Sequence, residues 1–300
     1  MKNSLLFGNG INRLTENSVS WNTLLEQLKG NKKFDNGELP YTMIYERVLL
    51  ENDKNKSLKI DEVEYDIKRE ISKQLFEQKT NRFYSKLIDL EFDNYLTTNY
   101  ENTFENTINN NYFFQNEKKG GFIEYNRTEK IYSIRRYSKF IWNKRKAKLW
   151  KIHGEIANPK SIMIGLDHYG GYVSKINDYV KGNYRITKGK KKIRLKSIRD
   201  KVKSGEFDGI SWIELFFNSN LHILGFGMDY SEIDLWWILN KRARLMNEIP
   251  INNTITLYSD KMNSEKKGLL KSLNVNVVEV EVLNHDYHEQ YDKIFEMIKR

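Results

Sequence analysis

Short apolar runs of four to six residues recur along the chain, each closed by a polar or glycine-bearing turn. Ser4–Phe7 (SLLF) runs into GNG, and Asp93–Thr97 (DNYLT) into TNYEN. Leu149–Ile152 (LWKI) precedes HGE, Ser161–Ile164 (SIMI) precedes GLDHY, and Leu221–Leu224 (LHIL) precedes GFGMD. Thr254–Tyr258 (TITLY) and Val275–Val280 (VNVVEV) complete the series. Segments with apolar residues at helical spacing lie between these strand-like runs. The alternation predicts an α/β fold: a Rossmann-like, doubly wound parallel sheet with right-handed crossovers and inserted helical lobes.

The insertions follow from the gaps between strands. Some 80 residues separate the first two runs, and Ser20–Leu28, Thr42–Leu50 (after Pro40) and Ile60–Phe76 within that gap carry helical periodicity. The expectation is one domain over residues 1–300, with a helical insertion at about 30–90 and a mixed, Tyr-rich insertion at about 109–148. A basic insertion follows at about 178–208, then a helix at Gly209–Phe217. There is no internal repeat, and no linker long enough to demand separate domains.

Composition narrows the function classes. With 39% hydrophobic and 30% charged residues the chain reads as an ordinary soluble globular protein, and 13% aromatic residues argue against disorder. No apolar stretch approaches the roughly 18 residues that span a bilayer. The opening MKNSLLFGNG has too short an apolar run for a signal peptide. Together these point to the cytoplasm of a bacterium and to no membrane partner. The chain has no cysteine, which removes disulfides, a thiol nucleophile and Cys-based metal sites. His153, His168, His222, His285 and His288 show no HExxH spacing, so no metal is expected.

Net charge is +10, a balance that attracts nucleic acid or polyphosphates. It is uneven: eleven Lys or Arg lie between Lys181 and Lys203, against the single acid Asp200. A solvated helix or mobile loop outweighs a specific DNA reader there, because Tyr184 is the only aromatic residue available for stacking.

Four turns could carry chemistry. In FGNGINR, Gly8 and Gly10 allow a sharp turn and a close backbone approach to a phosphate, although a glycine turn after a strand is commonly structural. In TTNYEN, Thr98 as helix N-cap and Glu101 as its capping-box partner form one explanation, which leaves Asn99 unaccounted for. In KIHGEI, His153 stands at a strand's carboxyl end with a pKa suited to proton transfer, against the commoner structural role of a lone histidine. In HILGFGMDYSEIDLWW, a glycine turn and Asp229 precede a helix whose Glu232 and Asp234 complement the dipole. No P-loop and no GxSxG elbow is present, which disfavours NTPase and α/β-hydrolase chemistry.

Taken in order, GNGINRLTENSVSWNTLL, TTNYENTFE, LWKIHGEIANPKSIMIG and GFGMDYSEID resemble the sirtuin-like NAD-binding family over roughly residues 4 to 282. The resemblance leans to its bacterial anti-phage branch, with abortive-infection proteins of the AbiH type. It implies that Gly8, Asn9, Gly10, Ile11 and Asn12 cradle the NAD pyrophosphate. It implies that Asn99 positions the water or ribose and that His153 is the base, with Thr98 and Glu101 beside them. Gly225, Gly227 and Asp229 would meet the second phosphate or ribose, and Tyr258 and Ser259 the adenosine end. Three positions depart from the pattern: Asn9 between the glycines, Asn12 where a serine is expected, and Glu101 where an aspartate is. The four-cysteine zinc ribbon of sirtuin deacylases is missing, so deacylation is disfavoured.

The function so implied is an NAD⁺ hydrolase that releases nicotinamide and ADP-ribose as an effector of phage defence. NAD is then the substrate rather than a cofactor. A homo-oligomer, a partner protein or a phage-derived trigger would gate it. Two alternatives stand beside it: a non-catalytic module that senses NAD or ADP-ribose, and a nucleic-acid-binding component using Lys181–Lys203.

Overall fold

The computed structural model describes residues 2–15, 18–32, 34–53, 59–114, 120–126, 131–282 and 286–299. His285 lies outside them. Ten strands are found among the described residues: β1 (Lys2–Phe7), β2 (Asn94–Thr97), β3 (Gly120–Asn126), β4 (Tyr137–Trp142), β5 (Arg145–Lys151), β6 (Arg185–Lys188), β7 (Lys191–Arg194), β8 (Ser219–Leu224), β9 (Ile255–Ser259) and β10 (Asn276–Glu279). Eight of them form one sheet in the order β10-β9-β8-β1-β2-β5-β4-β3. The six from β10 to β5 run parallel, while β4 and β3 add an antiparallel edge.

The period-2 alternation of β1 explains why the sheet is covered on both faces. Leu5 and Phe7 enter one apolar cluster with Phe83, Tyr84, Phe104, Tyr291 and Phe295. Leu6 enters the opposite cluster with Tyr172, Ile176, Leu235 and Ile238. Helices Arg82–Ile88, Thr103–Phe114 and Tyr287–Lys299 therefore lie on one side, and Leu166–Lys181 and Ile233–Met246 on the other. A strand buried on both faces reads as a continuous apolar run, which is what made β1, β2 and β8 visible in the sequence.

A third cluster is separate. Leu24, Leu25, Tyr45, Val48, Val63 and Ile71 pack together with Tyr100, Ile156, Ile162 and Ile164. Helices Trp21–Lys29, Tyr41–Asp53 and Ile60–Phe76 thus form a lobe seated on the turns that follow β2 and β5. Ser20 starts the first of these helices, its hydroxyl accepting from Thr23 N at 3.1 Å.

Four local expectations need correction. Ser161–Ile164 is no strand: it leaves a 3-10 turn at Pro159–Ser161 and packs Ile162 and Ile164 into the lobe. The basic run is neither a plain helix nor a loop, since β6 and β7 pair as an exposed antiparallel hairpin before helix Ile198–Ser204. The helix expected at Gly209–Phe217 is shorter, a 3-10 turn at Trp212–Glu214 followed by Leu215–Asn218. After β2 the helix begins at Thr103, so Thr98 and Glu101 do not form a capping box. Among the described residues no helix is long and apolar enough to cross a membrane.

Candidate functional site

The chain leaves β1 towards β2 on one side and returns to β8 on the other, so the strand order reverses at β1. In open α/β sheets the crevice beyond the carboxyl ends at such a point is where ligands bind. Two glycine turns meet there. Gly8 N donates to Leu224 O at 3.2 Å and Gly10 N to Gly225 O at 2.8 Å. A Cβ on Gly10 would stand 2.7 Å from Gly225 Cα and 2.8 Å from the Tyr291 hydroxyl. The glycines of the first loop are thus required by the seam with the GFG turn, and both amides are already committed within the protein. Ile11 is wholly buried and belongs to the core below the loop.

The 3-10 turn Asn9–Leu14 carries two asparagines over this seam. Asn12 Nδ2 donates to Asn9 Oδ1 at 2.9 Å and to Glu101 Oε1 at 2.8 Å. Asn12 Oδ1 accepts from the Tyr84 hydroxyl at 2.6 Å. The same Glu101 oxygen accepts from Thr103 Oγ1 at 2.8 Å and from Asn99 Nδ2 at 3.3 Å. Lys151 Nζ donates to the Glu101 carbonyl and lies 3.4 Å from Glu105. Glu101 is therefore the hub that ties the first loop to the turn after β2. Asn99 is aimed by it and by its own amide, which donates to Thr97 Oγ1 at 3.1 Å.

Asn99 and His153 hold matching positions after adjacent strands. Thr97 of β2 pairs with Lys151 of β5, and each candidate residue stands two positions beyond that pair on its own strand. Gly154 completes the turn at φ +105°, where a Cβ would fall 2.2 Å from Ser161 O; no other residue fits.

His153 is 2% exposed and clamped from two sides. Its Nε2 lies 2.9 Å from Asp234 Oδ2. Its Nδ1 is 3.4 Å from the Tyr169 hydroxyl and 3.5 Å from Glu232 Oε2. Tyr169 gives its proton to Glu232 at 3.0 Å. Burial pulls the imidazole down, but the Asp234 and Glu232 carboxylates outweigh it and hold the ring above its ordinary value. Burial pushes the Glu232 carboxyl up to about 7, against the opposing pull of His153. His153, Glu232 and Asp234 bring their ligand atoms within 4.8 Å of one another. The two carboxylates nevertheless face opposite nitrogens of the ring, a sandwich suited to proton sharing more than to a single ion.

The remaining candidates divide. Gly225, at φ +62°, forms the seam, whereas Gly227 is exposed with open space around its Cα. Asp229 is exposed and accepts from Ser231 N at 2.8 Å as a turn cap. Thr98 is buried beside Asn99. Tyr258 turns away from the crevice: its hydroxyl meets His222 Nδ1 at 3.0 Å and its ring joins the cluster under helix Tyr287–Lys299. Ser259, at the end of β9, accepts Val280 N at its carbonyl. A narrow cleft of about 20 Å³, lined by Asn9, Ser20, Trp21, Asn99, Tyr100 and Glu101, opens between the first loop and the lobe. Asp234, Glu232 and Tyr169 are the residues whose part in the site sequence reasoning missed; the acid-rich DYSEID after GFG was the signal for the two acids, and Tyr169 had none.

Comparison with known proteins bears on this arrangement. Residues 93–278 match the family model of the SIR2-like domain, and the chain belongs to that family. No curated protein matches it. Membership implies binding or use of NAD, and the β2, β5 and β8 turns described above all fall within the matched residues.

Proposed function

We propose that this SIR2-like protein hydrolyses NAD⁺ to nicotinamide and ADP-ribose, as an effector of bacterial abortive-infection defence against phage. The observation that carries the proposal is the matching placement of Asn99 and His153, each two residues beyond the paired ends of neighbouring parallel strands, beside the point where the strand order reverses. The pyrophosphate lies over the Asn9–Asn12 turn, and the nicotinamide ribose lies between Asn99 and His153. Nicotinamide already carries the positive charge, so its departure needs no general acid. Asn99 orients the attacking water and His153 accepts the proton. Glu101 lines the cleft and Asp234 backs His153, and negative charge at these positions favours the cationic character that develops on the ribose.

The cleft, at about 20 Å³, is far smaller than the roughly 300–1,000 Å³ of ordinary ligand pockets, and Asn99 and His153 are 7% and 2% exposed. Admission of a dinucleotide requires helix Trp21–Lys29 to swing away from Tyr100, against which Trp21 packs edge-on at 5.5 Å. Oligomerisation, a partner protein or a phage-derived trigger would drive that opening, which keeps cellular NAD safe in the resting state. The test is nicotinamide release by purified protein, with and without infected-cell extract. Asn99→Ala and His153→Ala should abolish it while the fold persists. Silence of the wild type under both conditions would sink the hydrolase, and a ligand-induced rise in melting temperature without nicotinamide would leave a sensor.

The exposed β6–β7 hairpin supports a second proposal, nucleic-acid contact through the Lys181–Lys203 run. Lys201 is excluded from that surface because it is wholly buried and ion-paired. Binding that falls steeply with salt, and that neutralisation of Lys190, Lys191 and Lys192 removes, would support it.

A further inference from the structure

His153 is held asymmetrically, and the asymmetry assigns its two nitrogens. The Nε2 contact to Asp234 is 2.9 Å long, ordinary for a charge-assisted hydrogen bond. Asp234 Oδ2 faces Nε2 at that distance, and a carboxylate there accepts the imidazole's hydrogen. Asp234 sits in the first turn of helix Ile233–Met246, where the helix dipole favours an acidic side chain. On the opposite side the contacts to Nδ1 are longer, the Tyr169 hydroxyl at 3.4 Å and Glu232 Oε2 at 3.5 Å, against 2.9 Å at Nε2. The Tyr169 hydroxyl, 3.4 Å away, spends its proton on Glu232 at 3.0 Å. The neutral ring therefore carries its hydrogen on Nε2 and its lone pair on Nδ1.

We propose that Asp234 is the positioning residue of His153, fixing the Nε2–H tautomer so that Nδ1 is the proton acceptor, with Tyr169 and Glu232 as the outlet for that proton. The inference rests on the hydrolase reading for its reaction and on geometry alone for its tautomer. In the reaction, an attacking water gives a proton to the Nδ1 lone pair while its oxygen bonds to the ribose anomeric carbon. The carbon–nitrogen pair leaves with nicotinamide and discharges its ring. The imidazolium so formed is balanced by Asp234. It returns the Nδ1 proton to the Tyr169 oxygen as Tyr169 passes its own to Glu232, and Glu232, at 13% side-chain exposure, releases a proton to solvent. The acid behind the imidazole serves as in other acid–histidine pairs, where loss of the carboxylate inverts the tautomer.

The test uses the full-length protein with ¹⁵N-labelled histidine, its imidazole spectrum recorded across pH, and His153→Ala to assign the ring. The expected result for neutral His153 is a protonated Nε2 and a bare Nδ1. In Asp234→Asn the ring should titrate lower by roughly a unit or more. The kinetic arm is nicotinamide release. Asp234→Asn should lose roughly 10²- to 10⁴-fold in kcat with KM little changed, and Asp234→Glu should recover part of it. An Nδ1–H tautomer in the wild type, or a titration that Asp234→Asn does not move, would overturn the proposal. Should Asp234→Asn fail to fold, the wild-type tautomer decides alone. Should no protein release nicotinamide while the tautomer and its shift are as expected, the positioning role stands and the hydrolase reading falls.

Discussion

Asn12 and Glu101 are hydrogen-bonded to each other at 2.8 Å, across 89 positions of chain. They are also two of the three positions at which the chain departs from the sirtuin-like pattern. The third, Asn9, accepts from the same Asn12 nitrogen at 2.9 Å. The departures therefore form one hydrogen-bonded cluster.

The first prediction is energetic coupling between these two side chains. Asn12→Ala and Glu101→Gln each disturb a shared buried network that also holds Asn99, Thr103 and Tyr84. Contacting residues of one network couple by about 0.5–3 kcal/mol. A double-mutant cycle on chemical unfolding should show that coupling, and strict additivity would mean that the loops are held by something else.

Gly10 and Gly227 should respond oppositely to a methyl group. At Gly10 a Cβ would overlap Gly225 backbone and the Tyr291 hydroxyl at 2.7–2.8 Å, and the Gly225 backbone cannot retreat without opening the β1/β8 seam. Gly10→Ala should cost about 2 kcal/mol or more. Gly227 has nothing within 4 Å, so Gly227→Ala should leave the melting temperature within error of the wild type. Equal sensitivity at the two positions would show that the seam does not govern the glycine requirement.

The legibility of the sequence follows a physical rule. Strands buried on both faces, β1, β2 and β8, announced themselves as apolar runs. Ser161–Ile164 looked the same because a run buried under a helical lobe has the same composition as one buried in a sheet. β6 and β7 were hidden because lysine-rich segments carry little strand propensity, and their pairing depends on the Gly189 turn at φ +61°. Asn99 and His153 were visible because strand ends are local features. Their partners were not: Asp234 is 81 positions from His153 and reaches it only because β8 is placed beyond β1 in the sheet.

Lys201 should prove a fastener of the basic insertion. Its ammonium is 0% exposed and meets Glu214 and Asp208 at 2.5 Å each and the Tyr179 hydroxyl at 3.1 Å. Removing one partner of a buried pair leaves an uncompensated charge, typically a cost of about 3–5 kcal/mol. Asp208 remains in Glu214→Ala, so the loss should fall at the lower end of that range. Lys201→Met keeps the stem but leaves the buried Glu214 carboxylate with only the neutral donors of Tyr179 and Gly209, so it should cost at least as much in thermal unfolding. The reverse order would mean that packing rather than charge secures the segment.

Stability near neutrality should carry the signature of Glu232. Burial raises its carboxyl to about 7, above the ordinary carboxylate range. A group whose folded value lies above its unfolded one favours the folded state fully at low pH, and that contribution is lost as pH rises through the folded value. Below about pH 4.5, Glu232 is protonated in both states, and Glu232→Gln should melt close to the wild type, with Tyr169 keeping an acceptor. Between there and pH 7 the wild type must either hold a proton or bury a charge, while the amide does neither. The variant should therefore gain on the wild type as pH rises, by up to about 3 kcal/mol, and level off above neutrality. His153 moderates the gain, since its imidazolium stabilises the Glu232 anion from 3.5 Å. Paired melts of the two proteins from pH 4 to 9 measure the difference directly. A difference that stayed flat, or one that shrank with pH, would mean that Glu232 ionises freely in the fold and is no outlet for a proton held near pH 7.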